Sequence, residues 1–188
     1  MNFNPHYDLR GKHAFLSASK YSWIRYDEDK LVEVFRNSLA VQRGTELHEF
    51  AAQAIRLGVR LRGNGTTLNM YVNDAIGYGM TPEQVLYYSK NCFGTADSIL
   101  FRKNLLRIHD LKTGVSPASM DQLLIYSALF CLEYSVKPSD ILVKLRIYKD
   151  DDIEECEPTP EDILFVMDKI VKFDRRIERI KAEEGVFE

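Results

Sequence analysis

The segment GTADSILFRKNLLRIHDLKTG, Gly94 to Gly114, limits the fold of this chain more than any other. Two apolar runs flank the polar pair Lys103-Asn104, and a polar pair between such runs predicts a β-hairpin turning there. In that register Arg102 faces Leu105, Phe101 faces Leu106, Ile99 faces Ile108, and Asp97 faces Asp110. Side chains in a strand repeat every second residue, so Lys112 projects from the same face as Asp110. Two carboxylates placed opposite each other repel, and partial burial adds to the cost. The hairpin therefore needs a cation at its open end.

A divalent ion meets that need best. Hard carboxylate oxygens suit Mg²⁺ or Mn²⁺, and such ions keep waters able to act on a phosphate. Lys112 is then placed to orient the water or to stabilise charge on phosphoryl oxygens. The residues alone thus suggest metal-assisted phosphodiester hydrolysis. The competing reading is a surface hairpin in which Asp110 pairs only with Lys112.

The rest of the chain supplies elements to cover the hairpin. Leu31, Val34, Phe35, Leu47, Phe50, Ala51, Ala54 and Ile55 recur at helical spacing, predicting a helix broken or kinked near Gly44 and stopped at Gly58. RLRGNGTT reads as a loop, and Thr81-Pro82-Glu83-Gln84 as a capped helix start leading to Tyr88. An apolar helix is predicted from Pro117, and a third strand over Ile141 to Asp150. An acidic loop, Asp150 to Glu157, precedes a long charged helix capped by Thr159-Pro160. This order implies one α/β domain over 1–188, a small central mixed sheet flanked by helices. Arg56, Arg60 and Arg62 with Tyr71, Tyr78, Tyr87 and Tyr88 offer the chemistry of a single-strand-binding wall, although tyrosines at such spacing are more often packing residues.

Bulk composition excludes more than it selects. With 188 residues, 45% hydrophobic and 28% charged, the chain has ordinary globular composition. Its longest apolar run, Leu123 to Leu132, is too short to span a bilayer, and the amino terminus lacks a signal-peptide core, so a soluble, unexported protein is expected. A net charge of −3 neither favours nor excludes nucleic acid.

GTAD, HDLKTG and MDQLLIYSALF, in that order, resemble the motif series of the PD-(D/E)XK nuclease superfamily. The closest likeness is to its RecB-like exonuclease branch, which includes phage and CRISPR-associated nucleases. RGTELHEF resembles that branch's GxxxH motif through Gly44 and His48, and LSASKYSWI resembles its amino-terminal lead-in. The resemblance runs from about Leu16 to Tyr134.

It implies a restriction-endonuclease-like core and a divalent-metal-dependent deoxyribonuclease, of exonuclease type, serving recombination, repair or replication and compatible with a phage source. The site residues it implies are Asp97, Asp110 and Lys112 for catalysis, and His48, Asp97, Asp110 and the carbonyl of Leu111 for Mg²⁺ or Mn²⁺. Gln122 and Tyr126 would position DNA or support Lys112. DNA is the implied partner, with a second copy of the chain or a recombination or replication protein as further ones, in the cytoplasm of a bacterium or phage-infected cell. His109 is left structural, and Glu46 and Glu49 read as solvated helix charges.

Departures from the pattern also carry expectations. Ala96 stands where the family name has proline. CRISPR-associated members often hold an iron–sulfur cluster on one amino-terminal and three carboxyl-terminal cysteines. Here YSWIRYDED has none and only Cys156 follows Cys131, so no cluster is expected. No GxxxxGK[ST] sequence is present, so no ATP use is expected. The alternative function is a non-catalytic DNA-binding or nuclease-inhibiting protein that keeps the fold. Hydrolysis of another phosphate ester is a third.

Overall fold

Lys103 and Asn104 both adopt positive φ, 52° and 57°. Two successive left-handed residues make the turn whose twist matches the strands it joins, so the sequence pair determines the register. Arg102 pairs with Leu105, Phe101 with Leu106 and Ile99 with Ile108, as expected.

The structure, a computed structural model, describes residues 4–114 and 118–185, which form two compact units, Met1–Gly44 and Thr45–Glu188. Elements in chain order are α1 (Glu28–Leu57), α2 (Thr67–Tyr78), β1 (Thr81–Ser89), β2 (Cys92–Arg102), β3 (Leu105–Leu111), α3 (Met120–Glu133), β4 (Leu142–Lys149), β5 (Asp152–Cys156) and α4 (Pro160–Glu183). In the first unit, turns of 3-10 helix at Tyr7–Leu9 and Ala18–Arg25 precede α1. There the Trp23 indole donates to the Ser17 carbonyl at 2.9 Å, and Phe15 meets Phe35 edge to face.

The second unit is α/β. Its sheet has five strands in the order β1-β2-β3-β4-β5, all neighbours antiparallel except the parallel pair β3 and β4. α3 makes the long connection that a parallel pair requires. Ile147 and Tyr148, consecutive in β4, belong to different apolar clusters, one per sheet face. The first cluster packs Ile108, Leu145 and Ile147 under Leu123 and Leu129 of α3 and Ile163 and Ile170 of α4. The second packs Leu111 and Tyr148 under Ala51 and Ile55 of α1 and Tyr71, Val72 and Ala75 of α2. Among the described residues no helix is long and apolar enough to cross a membrane.

Several expectations change. α1 is assigned as one helix through Gly44, so that glycine does not break it. It ends at Gly58, φ 66°, where Val59 and Gly58 donate to the carbonyls of Ala54 and Ile55 in a glycine-capped finish. Thr81-Pro82-Glu83-Gln84 does not start a helix. It opens β1, because Val85, Leu86, Tyr87 and Tyr88 are strand formers with β2 beside them, and pairing outweighs a cap signal. The helix before it, α2, is not among the expected elements, although Leu68, Tyr71, Val72, Ala75 and Ile76 recur at helical spacing. The acidic stretch after β4 is mostly strand β5, turned by Asp150 and Asp151 at φ 51° and 59°. The apolar helix begins at Met120, and its expected start at Pro117 lies outside the described residues. α4 carries the full reciprocal cap, Thr159 with Asp162.

The tyrosines do not form one wall. Tyr71 is buried in the second cluster, and Tyr88 packs against the first. Tyr78 lies beneath the Arg107 guanidinium, 4.3 Å from ring centre. Tyr78 and Tyr87 are exposed, Tyr87 stacked on Phe93.

Candidate metal centre

The site is assembled where the β2–β3 ladder stops. The last ladder pair is Ser98 with His109, so Asp97 and Asp110 are the next two facing residues, just past it. Freed from the ladder, Asp97 turns its carboxylate to the end of β3, where Oδ2 accepts the Leu111 N–H at 2.8 Å. The same oxygen lies 3.5 Å from Nδ1 of His48, on α1. Leu111 thus contributes its amide to the site through Asp97, while its side chain is buried in the second cluster.

Asp110 is 2% exposed and faces the other way along the site. Its Oδ1 accepts from Lys112 Nζ at 3.2 Å. Its Oδ2 is 2.9 Å from the same ammonium but lacks a hydrogen-bond donor among the described residues. Lys112 also donates to Gln122 Oε1 at 2.7 Å, and Gln122 Nε2 donates to the Tyr126 hydroxyl at 3.2 Å. Those two residues sit one turn apart at the start of α3, so one helical face delivers both. Tyr126 fits because residue 94 is glycine: a Cβ there would stand 3.0 Å from its ring. The contacts thus form two groups, His48–Asp97–Leu111 and Asp110–Lys112–Gln122–Tyr126, joined along the backbone of residues 110–112; Leu111 enters by its N–H, whereas the expectation concerned its carbonyl.

One further residue joins them that the sequence reading placed in a helix cap. Glu83 lies between the pairs Pro82–Ser98 and Gln84–Ala96, hence opposite Asp97. Its φ is +53°, a conformation that costs a non-glycine residue roughly 1 kcal/mol or more and that collects at functional positions. One ligand atom each from His48, Glu83 and Asp97 lie within 4.8 Å of one another, a spacing suited to a metal ion. Asp110 is outside this trio, held by Lys112. Counting back from the Lys90-Asn91 turn puts Glu83 opposite Ser98; the bulge between Tyr87 and Ser89 shifts the register by one residue and brings Glu83 opposite Asp97.

The electrostatics fit a cation as well. Burial and then Asp97 push the Asp110 carboxyl above its usual range, with Lys112 opposing. Burial and then Asp97 do the same to Glu83. His48 is held above its ordinary value by its bond to Asp97. Crowded acids with raised proton affinity beside an imidazole are what a divalent ion relieves.

Comparison with models of protein families, with curated proteins and with solved structures finds no match to this chain.

Proposed function

We propose that the chain is a divalent-metal-dependent DNA nuclease of the RecB-like type, built on a restriction-endonuclease-like core. The observation that carries this reading is the joining of the His48, Glu83 and Asp97 donor trio to the Asp110–Lys112–Gln122 chain at one sheet end. A simple binding surface for phosphate would not gather three carboxylates there, since they repel the ligand.

His48, Glu83 and Asp97 would hold the ion, with Asp110 completing its surroundings. The ion would supply a bound water of lowered pKa and an electrophile for a phosphoryl oxygen. Lys112, fixed by Asp110 on one side and Gln122 on the other, stabilises the charge that builds on the phosphoryl oxygens as the water attacks. Its ammonium is held by two partners before substrate arrives, which lowers the reorganisation required in the transition state. Gln122 offers both an acceptor to Lys112 and a donor to Tyr126, so it fixes the lysine without neutralising it. Metal loading must displace the proton that Asp97 favours on His48, so affinity should rise with pH.

Labelled linear and circular DNA incubated with Mg²⁺ or Mn²⁺, and with chelator, tests the proposal. Cleavage only with metal, abolished in Asp110→Ala and Lys112→Ala, is expected. Metal-independent cleavage, or full activity in either variant, overturns it. Tight DNA binding without cleavage would instead indicate a non-catalytic protein on the same fold.

A further inference from the structure

α4 displays more apolar surface than the core takes up. Ile163, Val166, Met167 and Ile170 pack into the first cluster. Phe165 and Phe173 nevertheless remain 61% and 56% exposed, and Ile177 and Ile180 are exposed too. With Leu124 and Ile125 of α3, Phe165, Phe173 and Ile177 line a groove of about 750 Å³. Aromatic residues left this open along one helix mark a surface for another protein.

The charges on α4 say which one. Its first half carries Glu161, Asp162 and Asp168 against the single base Lys169. Its second half carries Lys172, Arg175, Arg176, Arg179 and Lys181 against Asp174, Glu178 and Glu183. Asp174 and Glu178 accept from Ser89 and Asn91 at the β1–β2 turn, and Glu178 also pairs with Lys181. Among the described residues neither Lys172, Arg175 nor Arg179 has an ion-pair partner. The outward surface is thus acidic at one end and basic at the other. Reversing such a helix against its own copy sets opposite charges together, whereas a parallel arrangement sets like against like.

We infer that this stripe seats a second copy of the chain, α4 against α4 in an antiparallel two-fold contact. An axis near Lys169 places Phe165 of each copy against Phe173 of the other, and the Glu161 end near Arg176. The two Lys169 ammonium groups need not meet, because each folds over its own Phe165 ring, 4.6 Å from the centre. With the axis at Lys169 the facing segments run from Glu161 to Ile177, about 24 Å at the helical rise. The inference does not rest on the nuclease reading.

Sedimentation of the full chain without DNA or metal, from low micromolar to about 100 µM, reads it directly. A dimer is expected, weakened at least roughly tenfold by Phe173→Asp with an unchanged far-ultraviolet spectrum. Phe165→Ser serves as a second variant, since both rings lie outside the core. Glu161→Arg and Arg176→Glu should each weaken the dimer, and the two together should restore it. A monomer at all concentrations, including one whose stripe awaits a different partner, overturns the inference. So does a dimer indifferent to Phe173→Asp, or one the charge swap fails to rescue.

Discussion

Lys112 donates to Gln122 Oε1 at 2.7 Å, a shorter contact than either it makes with Asp110. A neutral acceptor at that distance leaves the ammonium its full charge while fixing its direction, which an ion pair alone does not. Removing the amide should cost the worth of a hydrogen bond to a charged group, about 1.5 to 3 kcal/mol. On the proposed reaction, Gln122→Ala therefore lowers kcat roughly ten- to hundredfold with little change in KM. Tyr126→Phe removes only the neutral bond behind it, about 1 kcal/mol, and should lower kcat roughly fivefold. Steady-state cleavage rates check both, and a larger loss in Tyr126→Phe than in Gln122→Ala contradicts the order of support.

Gly94 acts on the same chain from the far side. A methyl group at residue 94 would press on Tyr126 Cε1 at 3.0 Å, and Tyr126 can yield only by shifting the hydroxyl that Gln122 meets. Gly94→Ala is expected to cost about 1 kcal/mol of stability by overpacking. It should also reduce cleavage several-fold, an effect that disappears in a Tyr126→Ala background, where the clash has been removed. Additive losses in the double variant would show that Gly94 acts elsewhere.

Much of this was readable before the fold, and the physical reason differs by segment. The hairpin was legible because a two-residue turn and a period of two leave one register, so Asp97, Asp110 and Lys112 could be placed by counting. His48, Gln122 and Tyr126 came from resemblance to known motifs. β1 was hidden because Thr81-Pro82 mimics a helix start, and the strand exists only through its pairing with β2. Glu83 was lost with it. β5 was hidden because DIEEC is a short edge strand whose acids keep it soluble, so it shows no apolar alternation.

The crowding of Glu83, Asp97 and Asp110 should appear as a metal-dependent stability profile. Glu83 and Asp110 have folded pKa values above their ordinary ones, so the folded chain binds more protons than the unfolded chain across that interval. Their contribution is fully present below the ordinary carboxylate range and is lost as pH rises through the raised values. In chelator, Glu83→Gln should remove up to about 1 kcal/mol of like-charge repulsion, raising Tm by roughly 2 to 4 °C. In saturating Mn²⁺ the order should reverse, because the wild type gains a ligand-binding term that the variant gains less of. Thermal melts in the two buffers decide it, and an equal shift in both would remove Glu83 from the proposed metal set.

His109 gives the opposite sign from the opposite face of the sheet. It is 0% exposed, its Nδ1 meets the Tyr148 hydroxyl at 3.2 Å, and its Nε2 has no partner among the described residues. Burial first, then Arg146 and Arg107, lowers its pKa to about 3 from an ordinary 6.5. Between those values the unfolded chain takes up a proton that the folded chain refuses. The associated stability is present above the ordinary histidine value and is lost as pH falls toward the folded one, at a slope of up to about 1.4 kcal/mol per pH unit. His109→Phe keeps the ring packing against Tyr78 and Tyr148 and deletes the titration. Its urea-unfolding free energy, measured in chelator, should therefore gain on the wild type steadily as pH is lowered from neutrality toward 4. Parallel curves would mean that His109 takes up its proton in the folded chain over the same pH range as in the unfolded one. The buried ring would then be a cation beside two arginines, with no acceptor for its Nε2 proton among the described residues.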